Sequence, residues 1–292
     1  MGGVILLKLI YKNLDYELCE GFDINRYFRF YYDNNYLYSY DKIFITDLHL
    51  NKENLNIINN DKELKDKVIL FDHNESVTDL NSYEFVNIII KDNNGYCCST
   101  TLLYDYLLSK NLLRHTNALD VFCKSTQAFD TGIWDYTSKY EIARDLALLF
   151  DIVGIERYIE LMYNKLRKEK EFFFNRKEKK LIKIKKDLTN EKVSSYIKTI
   201  RFKKVDGYDA GIIFISYEFR NEIAQYLRKT KLFDIDFVML VAVDNSSISI
   251  RNINPNVNVR PIAEKLGGKG HFGAAGCNID ENNLLKVLEV IL

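Results

Sequence analysis

The sequence predicts an α/β protein of two lobes joined by a helical connector, and three observations predict it. Up to about residue 90, short apolar runs that end in aspartate alternate with helical periods, the pattern of a mostly parallel sheet. From about Tyr140 to Ile200 the period is helical, with no proline and Gly154 as the lone glycine. A second, smaller alternation of strand and helix signals fills the remainder, and 292 residues accommodate about two domains.

The elements follow in order. The tyrosine-rich stretch from Tyr27 to Tyr40 reads as amphipathic packing. Asp41–Asp47 and Lys67–Asp72 are the first two strands, built on β-branched and aromatic residues that suit a buried pleat. Between them Asn51 is placed to cap a helix through Leu55, Ile57 and Ile58. Phe85–Ile90 is a third strand, and Ser99 reads as the cap of a helix carrying Leu102, Leu103, Tyr106 and Leu107. Beyond the connector, strand signals lie at Ala210–Ile215, Phe237–Val243 and Ser247–Arg251, and helix signals at Phe219–Leu227, Pro261–Leu266 and Glu281–Leu292. The expected domains are 1–150, a basic helical connector 151–204, and 205–292, with no internal repeat.

Composition excludes several classes. Apolar residues are 47% and charged residues 28%, which exclude disorder, and no apolar run approaches the roughly 18 residues of a membrane span. The opening Met1–Lys8 is apolar but lacks a basic leader and a small-residue cleavage site, and Leu6 stands where myristoylation wants Ser or Thr. Cys19, Cys97, Cys98, Cys123 and Cys277 show no Cys-x-x-Cys spacing and read as reduced thiols of a cytoplasmic protein, with Cys97 and Cys98 as packing residues. Net charge is zero, yet residues 165–204 hold 16 Lys or Arg against five Asp or Glu, so this stretch carries +11 and the remainder −11. That asymmetry fits either a polyanion-facing element or a solvated helix.

The densest local signal is Gly267-Gly268-Lys269-Gly270-His271-Phe272-Gly273-Ala274-Ala275-Gly276, which gathers five of the 13 glycines. Glycines let a backbone approach an anion closely, and a Lys and a His beside them suggest phosphate rather than a plain turn. At the end of the second strand, Phe71-Asp72-His73-Asn74-Glu75-Ser76 joins a carboxylate to an imidazole, and Asp47 closes the neighbouring strand. In an open parallel sheet ligands bind beyond these carboxyl ends. Carboxylate oxygens with one imidazole suit manganese or a similar divalent ion, whereas a structural zinc site would want thiolates.

Asp47, the Asp72-His73-Asn74-x-Ser76 run, Asp130 in Ala128-Phe129-Asp130-Thr131-Gly132, and the glycine-rich loop together resemble the DHH phosphoesterase family with its DHH-associated carboxyl-terminal domain. The resemblance covers nearly the whole chain and includes an arginine on a strand, here Arg251 in Ser249-Ile250-Arg251. It implies a DHH-type domain and a smaller DHH-associated domain, with two manganese ions sharing a bridging carboxylate. By resemblance Asp47 is the bridge, His73 and Asp130 complete one metal site, and Asp72 orients His73. Asp72, His73 and Asn74 form the catalytic motif, and Arg251, Gly268, Lys269, Gly270 and His271 hold the nucleotide or a remote phosphate. Two departures stand out: Asn74 replaces the motif's second histidine, and the chain begins inside the helix that follows the family's His-x-Asp-x-Asp-Gly segment. The missing segment is expected to reflect a start placed too far downstream or a truncated chain, against a chain that has given up catalysis.

The expectation is a metal-dependent phosphoesterase acting on short oligonucleotides or small nucleotides, with no membrane partner and a homodimer left open. The alternatives are a nucleotide- or nucleic-acid-binding protein without turnover and a single-strand exonuclease. His49, two residues past Asp47 and within reach of a metal there, reads rather as a solvated loop residue, His115 as structural, and Trp134 as packing beneath the site. Ser99 and Lys269 fit phosphate contact as well as capping and solvation.

Overall fold

Three parallel strands and the helices between them build the first of two units in the computed structural model, which describes residues 1–93, 95–132 and 141–291. The units are residues 1–182 and 183–292. In the first, α1 (Gly2–Lys8) and α2 (Ile24–Asp33) precede β1 (Ile43–Thr46), and α3 (Lys52–Asn60) and α4 (Lys62–Lys67) lead to β2 (Val68–Asp72). Then come β3 (Val86–Ile88) and the short ladder of β4 (Lys91–Asp92) with β5 (Gly95–Tyr96). Helices α5 (Ser99–Ser109), α6 (Asn117–Asp130), α7 (Glu141–Val153), α8 (Ile155–Lys168) and α9 (Arg176–Ile197) follow.

The sheet order is β1-β2-β3, with Ile45 opposite Leu70 and Asp72 opposite Ile88. Side chains alternate across the pleat. Phe44, Ile69 and Phe71 pack with Ile5 and Leu6 of α1, Leu103 and Leu107 of α5, and Phe122 of α6. Ile45, Val68, Leu70, Val86 and Ile88 pack on the other face with Leu55, Ile58 and Leu64. Each fully buried aliphatic side chain of this kind stabilises by about 1.5–3 kcal/mol. The tyrosine-rich stretch is amphipathic, with Phe28 and Leu37 buried in the second cluster. Gly2 and Gly3 bring α1 against the functional edge, since a Cβ at Gly2 would stand 2.3 Å from the Thr100 hydroxyl oxygen.

The start of α9 is fixed by a reciprocal cap. Asn175 Oδ1 accepts the Glu178 amide at 3.0 Å, and Glu178 Oε2 accepts the Asn175 amide at 2.8 Å and Lys165 Nζ at 3.0 Å. Gly154, at φ +76°, and residues 169–175 interrupt the expected helical run, and α9 carries the division between the units.

The second unit is a six-stranded mixed sheet in the order β10-β11-β9-β8-β7-β6. Its elements are β6 (Arg201–Val205), β7 (Tyr208–Ile215), α10 (Arg220–Thr230), β8 (Phe237–Ala242), β9 (Ser247–Asn252), α11 (Arg260–Lys265), β10 (Lys269–Gly270), β11 (Ala274–Asn278) and α12 (Leu284–Ile291). β7 and β8 are parallel, as the intervening α10 allows, and the other pairs are antiparallel. Phe237, Met239, Ile248 and Ile250 pack against Ile262 of α11 and Val287 of α12. Val238 and Leu240 pack against Ile223 and Leu227 of α10 and Val193 and Ile197 of α9. β6 is not among the strands expected from the sequence. It is an edge strand, and Arg201, Lys203 and Lys204 there are the charges that keep a free edge from pairing with other chains.

Cys97, Cys98, Cys123 and Cys277 are buried free thiols. Among the described residues no helix is long and apolar enough to cross a membrane. Trp134 lies outside the described residues.

Candidate metal centre

Asp47 leaves β1 at φ +68°, a left-handed conformation uncommon for a residue with a side chain. Its amide donates to Phe71 O at 2.9 Å, which prolongs the ladder one residue past the strand. The turn sets the Asp47 carboxylate above the end of β2, where Asp72 and His73 emerge. Asp47 Oδ1 lies 3.3 Å from His73 Nδ1, and Asp130 Oδ2 lies 3.1 Å from His73 Nε2. Asp130 is the last residue of α6. A carboxylate at a helix carboxyl end meets the negative pole of the dipole, so its position runs against local preference.

Asp72 is 3% exposed and both its oxygens are engaged. Oδ1 accepts the His73 amide at 2.7 Å and stands 3.9 Å from His73 Nδ1, and Oδ2 lies 2.8 Å from His49 Nδ1. Ser99 is the first residue of α5, whose N-cap is Cys98, so it does not cap the helix as its sequence suggested. Its hydroxyl lies 3.4 Å from both Asp47 Oδ1 and His73 Nδ1, while Thr101 Oγ1 accepts the Cys98 amide at 3.2 Å.

Three carboxylates around one imidazole shift its titration. The Asp130 hydrogen bond raises the His73 pKa above the ordinary value, against the opposing effect of burial, and the charges of Asp130, Asp47 and Asp72 add to the rise. The Asp47 carboxyl is itself pushed up, first by desolvation and then by Asp130. Asp47, Asp72 and His73 each offer a ligand atom within 4.8 Å of one another. Donors that share one ion at about 2.1 Å stand no more than about 4.2 Å apart. The 3.3 and 3.9 Å separations of Asp47 and Asp72 from His73 Nδ1 meet that limit, whereas Asp130 stands at the other ring nitrogen, Nε2, outside this group; the oxygen-rich donor set suits a hard divalent ion. Asp47 also lines a cavity of about 1210 Å³ bounded by α1, residues 14–24, α2 and β1.

Asn74 closes the next turn: its Oδ1 accepts the Ser76 amide at 3.1 Å and the Ser76 hydroxyl at 2.9 Å. In the second unit the glycine-rich segment is a hairpin rather than an open anion cradle. Lys269 pairs with Gly276 and Gly270 with Ala275, the Gly268 amide donates to Ala263 O, and the His271 amide donates to Ala274 O, both at 2.8 Å. Close approach accounts for the glycines here, since a Cβ at Gly268 would stand 2.1 Å from Gly276 O. The Gly268 amide is therefore unavailable to a phosphate. The Lys269 and His271 side chains are exposed and lack hydrogen-bond partners among the described residues. Arg251 lies opposite Ala274 on β11, with its guanidinium 3.3 Å from Ala275 O and 3.4 Å from Asn221 Oδ1.

His49 and Ser99 stand nearer the centre than their sequence context suggests, and Arg228, unmarked in the sequence, donates to Asn252 O at 2.8 Å and reaches Gly273 O at 3.4 Å. The signal for His49 was its place two residues past Asp47, in the loop that leaves β1 beside β2. His115 is exposed, 3.3 Å from Asp120.

No protein-family model matches the chain. Oligoribonuclease NrnB of Bacillus subtilis (strain 168) is 30% identical over 246 residues, which are 82% of this chain and 60% of the relative. This relative accords with the resemblance of the chain's motifs to the DHH phosphoesterase family. The chain spans less than two thirds of the length of NrnB. Among solved structures, the pGpG-specific phosphodiesterase PggH of Vibrio cholerae matches with a TM-score of 0.53 at 12% identity, over 99% of this chain and 92% of that one. RecJ of Thermus thermophilus, solved in complex with Mn2+, matches with a TM-score of 0.50 at 14% identity, over 99% of this chain and 49% of that one. The two-lobed α/β fold expected from the sequence is the fold of these DHH-family neighbours.

Proposed function

We propose that this chain hydrolyses phosphodiester bonds in short oligoribonucleotides, using divalent cations, manganese by preference, held by Asp47, His73 and Asp130. The observation that carries the reading is the placement of the three carboxylates Asp47, Asp72 and Asp130 around His73 at the carboxyl end of a parallel sheet. Such a concentration of negative charge at one imidazole calls for a cation. A bound divalent ion supplies Lewis acidity toward a phosphoryl oxygen and acidifies water. The residues of the chain do the rest.

Asp72 holds the His73 backbone with one oxygen and faces His49 with the other, which fixes the imidazole in register with Asp47. Asp47, which stands beside both His73 Nδ1 and the Ser99 hydroxyl, would be the carboxylate that holds more than one ion. Ser99 and the amino end of α5 bring donors and a positive pole to the Asp47 side, where a phosphate enters. Asn74 presents its amide at the mouth of the motif. In the second unit Arg251, Lys269 and His271 are proposed to bind a nucleotide phosphate through their side chains, with Gly270 giving the hairpin its close pairing. NrnB, named an oligoribonuclease, supports the choice of RNA. The buried, unpaired thiols accord with work in the cytoplasm.

The test is a length series of 5′-labelled oligoribonucleotides, from 2 to about 20 nucleotides, with Mn2+ and the purified chain. Hydrolysis that is strongest on the shortest substrates, abolished by chelation and reduced by about 100-fold or more in His73→Ala is expected. Turnover indifferent to chelation and to His73→Ala, or none on any length with intact RNA recovered, overturns the reading.

A further inference from the structure

The first turns of α9 crowd cations where a helix repels them. Between Arg176 and Lys186 seven of the eleven residues are Lys or Arg, and the one acid, Glu178, is buried against Lys165. The amino end of a helix carries a partial positive charge, so this distribution opposes the dipole and is not explained by helix stability. At 100° per residue Arg176, Lys180 and Lys183 fall within about 60° of arc and Lys179 adjoins them. All four are exposed, and none has an acidic partner among the described residues. In these first turns the side of the helix away from the arc is anchored by Glu178 and Ile182, both buried. The reciprocal cap of Asn175 with Glu178, and the Lys165 bond to Phe173 O at 2.8 Å, fix where the helix begins. The cations thus stand on an ordered element, unlike those of a solvated tail. Ile184 and Leu188, 46% and 56% exposed, flank the arc on the next turns.

We infer that this arc is a binding track for the backbone of single-stranded RNA, separate from the metal centre. The inference rests on the reading of the chain as an oligoribonucleotide hydrolase. Arg176 to Lys183 span about 10 Å along the helix, room for about three phosphates at the axial spacing of a stacked strand and fewer in an unstacked one. The exposed Ile184 and Leu188 suit bases that have left a stack, which favours a single strand over a duplex. The track holds the part of a longer strand that lies beyond the scissile end. It does not touch the reacting phosphate, so dinucleotides have no use for it.

Binding of a labelled 12-mer RNA to the full chain, by fluorescence anisotropy without Mn2+ and between 50 and 200 mM salt, tests this. In R176Q/K179Q/K180Q/K183Q the 12-mer is expected to bind at least about tenfold more weakly, with a log–log salt slope smaller by about 2. Hydrolysis of a dinucleotide stays unchanged, and K179R/K180R/K183R binds the 12-mer as the parent does. Equal 12-mer affinity and slope in the parent and the glutamine variant overturns the inference. So does a substitution that removes binding to phosphatidylserine vesicles but leaves the 12-mer untouched. Failure to cleave any dinucleotide counts against the metal centre alone, because the anisotropy readout does not depend on it.

Discussion

His73 stands among more negative charge than one imidazole can neutralise, and its titration is where the site is most open to measurement. Its raised pKa, caused first by Asp130, makes the proton a competitor for any cation that takes the ring nitrogen. Mn2+ affinity should therefore fall as pH is lowered through the His73 value, and calorimetric titrations at stepped pH check it. In the metal-free chain the sign is opposite. A raised folded-state pKa contributes stability fully present below the unfolded value and lost as pH rises through the folded one. His49→Ala should weaken Mn2+ binding about tenfold by freeing one oxygen of Asp72, with the circular dichroism spectrum unchanged. Asp47, Asp72, His73 and Asp130 were legible because each is a carboxylate or imidazole at the end of an element or in a motif. His49 and Ser99 were not, because their roles depend on the register that sets Thr46 opposite Phe71 and brings the exits of β1 and β2 side by side.

Helix and strand ends carry the polar interactions that hold the elements in place. Asp61 caps α4 by accepting the Glu63 and Leu64 amides at 3.0 and 3.1 Å, and takes the Tyr38 hydroxyl at 2.5 Å. Asp61→Ala should cost about 1–2 kcal/mol in urea unfolding. The cap lowers the Asp61 pKa, first through Tyr38, so its contribution is present above the unfolded carboxylate value and lost as pH falls through the folded one. Lys165 and Glu178, 7% and 6% exposed, form a buried pair, and Lys165→Ala should destabilise by about 3–5 kcal/mol by stranding the carboxylate. In the second unit a Cβ at Gly276 would stand 2.4 Å from Ile248 O, so Gly276→Ala forces backbone apart rather than filling space. The glycine density was legible and its cause was not. A sequence does not distinguish glycines that admit a ligand from glycines that admit a neighbouring strand. β6 was hidden for a related reason, since its cations at 201, 203 and 204 continue the charge of α9 and only the partner β7 makes them a strand.

The alternation of strand and helix was enough to give the α/β class of the whole chain, and the sheet orders follow from apolar runs that must be covered on both faces, as β8 is. The division at residue 182 was not legible, because α9 is one uninterrupted helical period whose two halves bury different residues: Ile182 in one core, Val193 and Ile197 in another. A ligand that binds the folded chain alone stabilises all that unfolds with its site. Mn2+ at 100 times its dissociation constant should add about 2.7 kcal/mol to the first unit, and chelation should remove it. The most direct test is a calorimetric titration of the chelated full chain with Mn2+, run in parallel on His73→Ala. At least one ion bound per chain by the parent, and lost or greatly weakened in the variant, is the expected result. No binding at millimolar Mn2+, or binding that His73→Ala leaves unchanged, would contradict a metal centre at Asp47, His73 and Asp130.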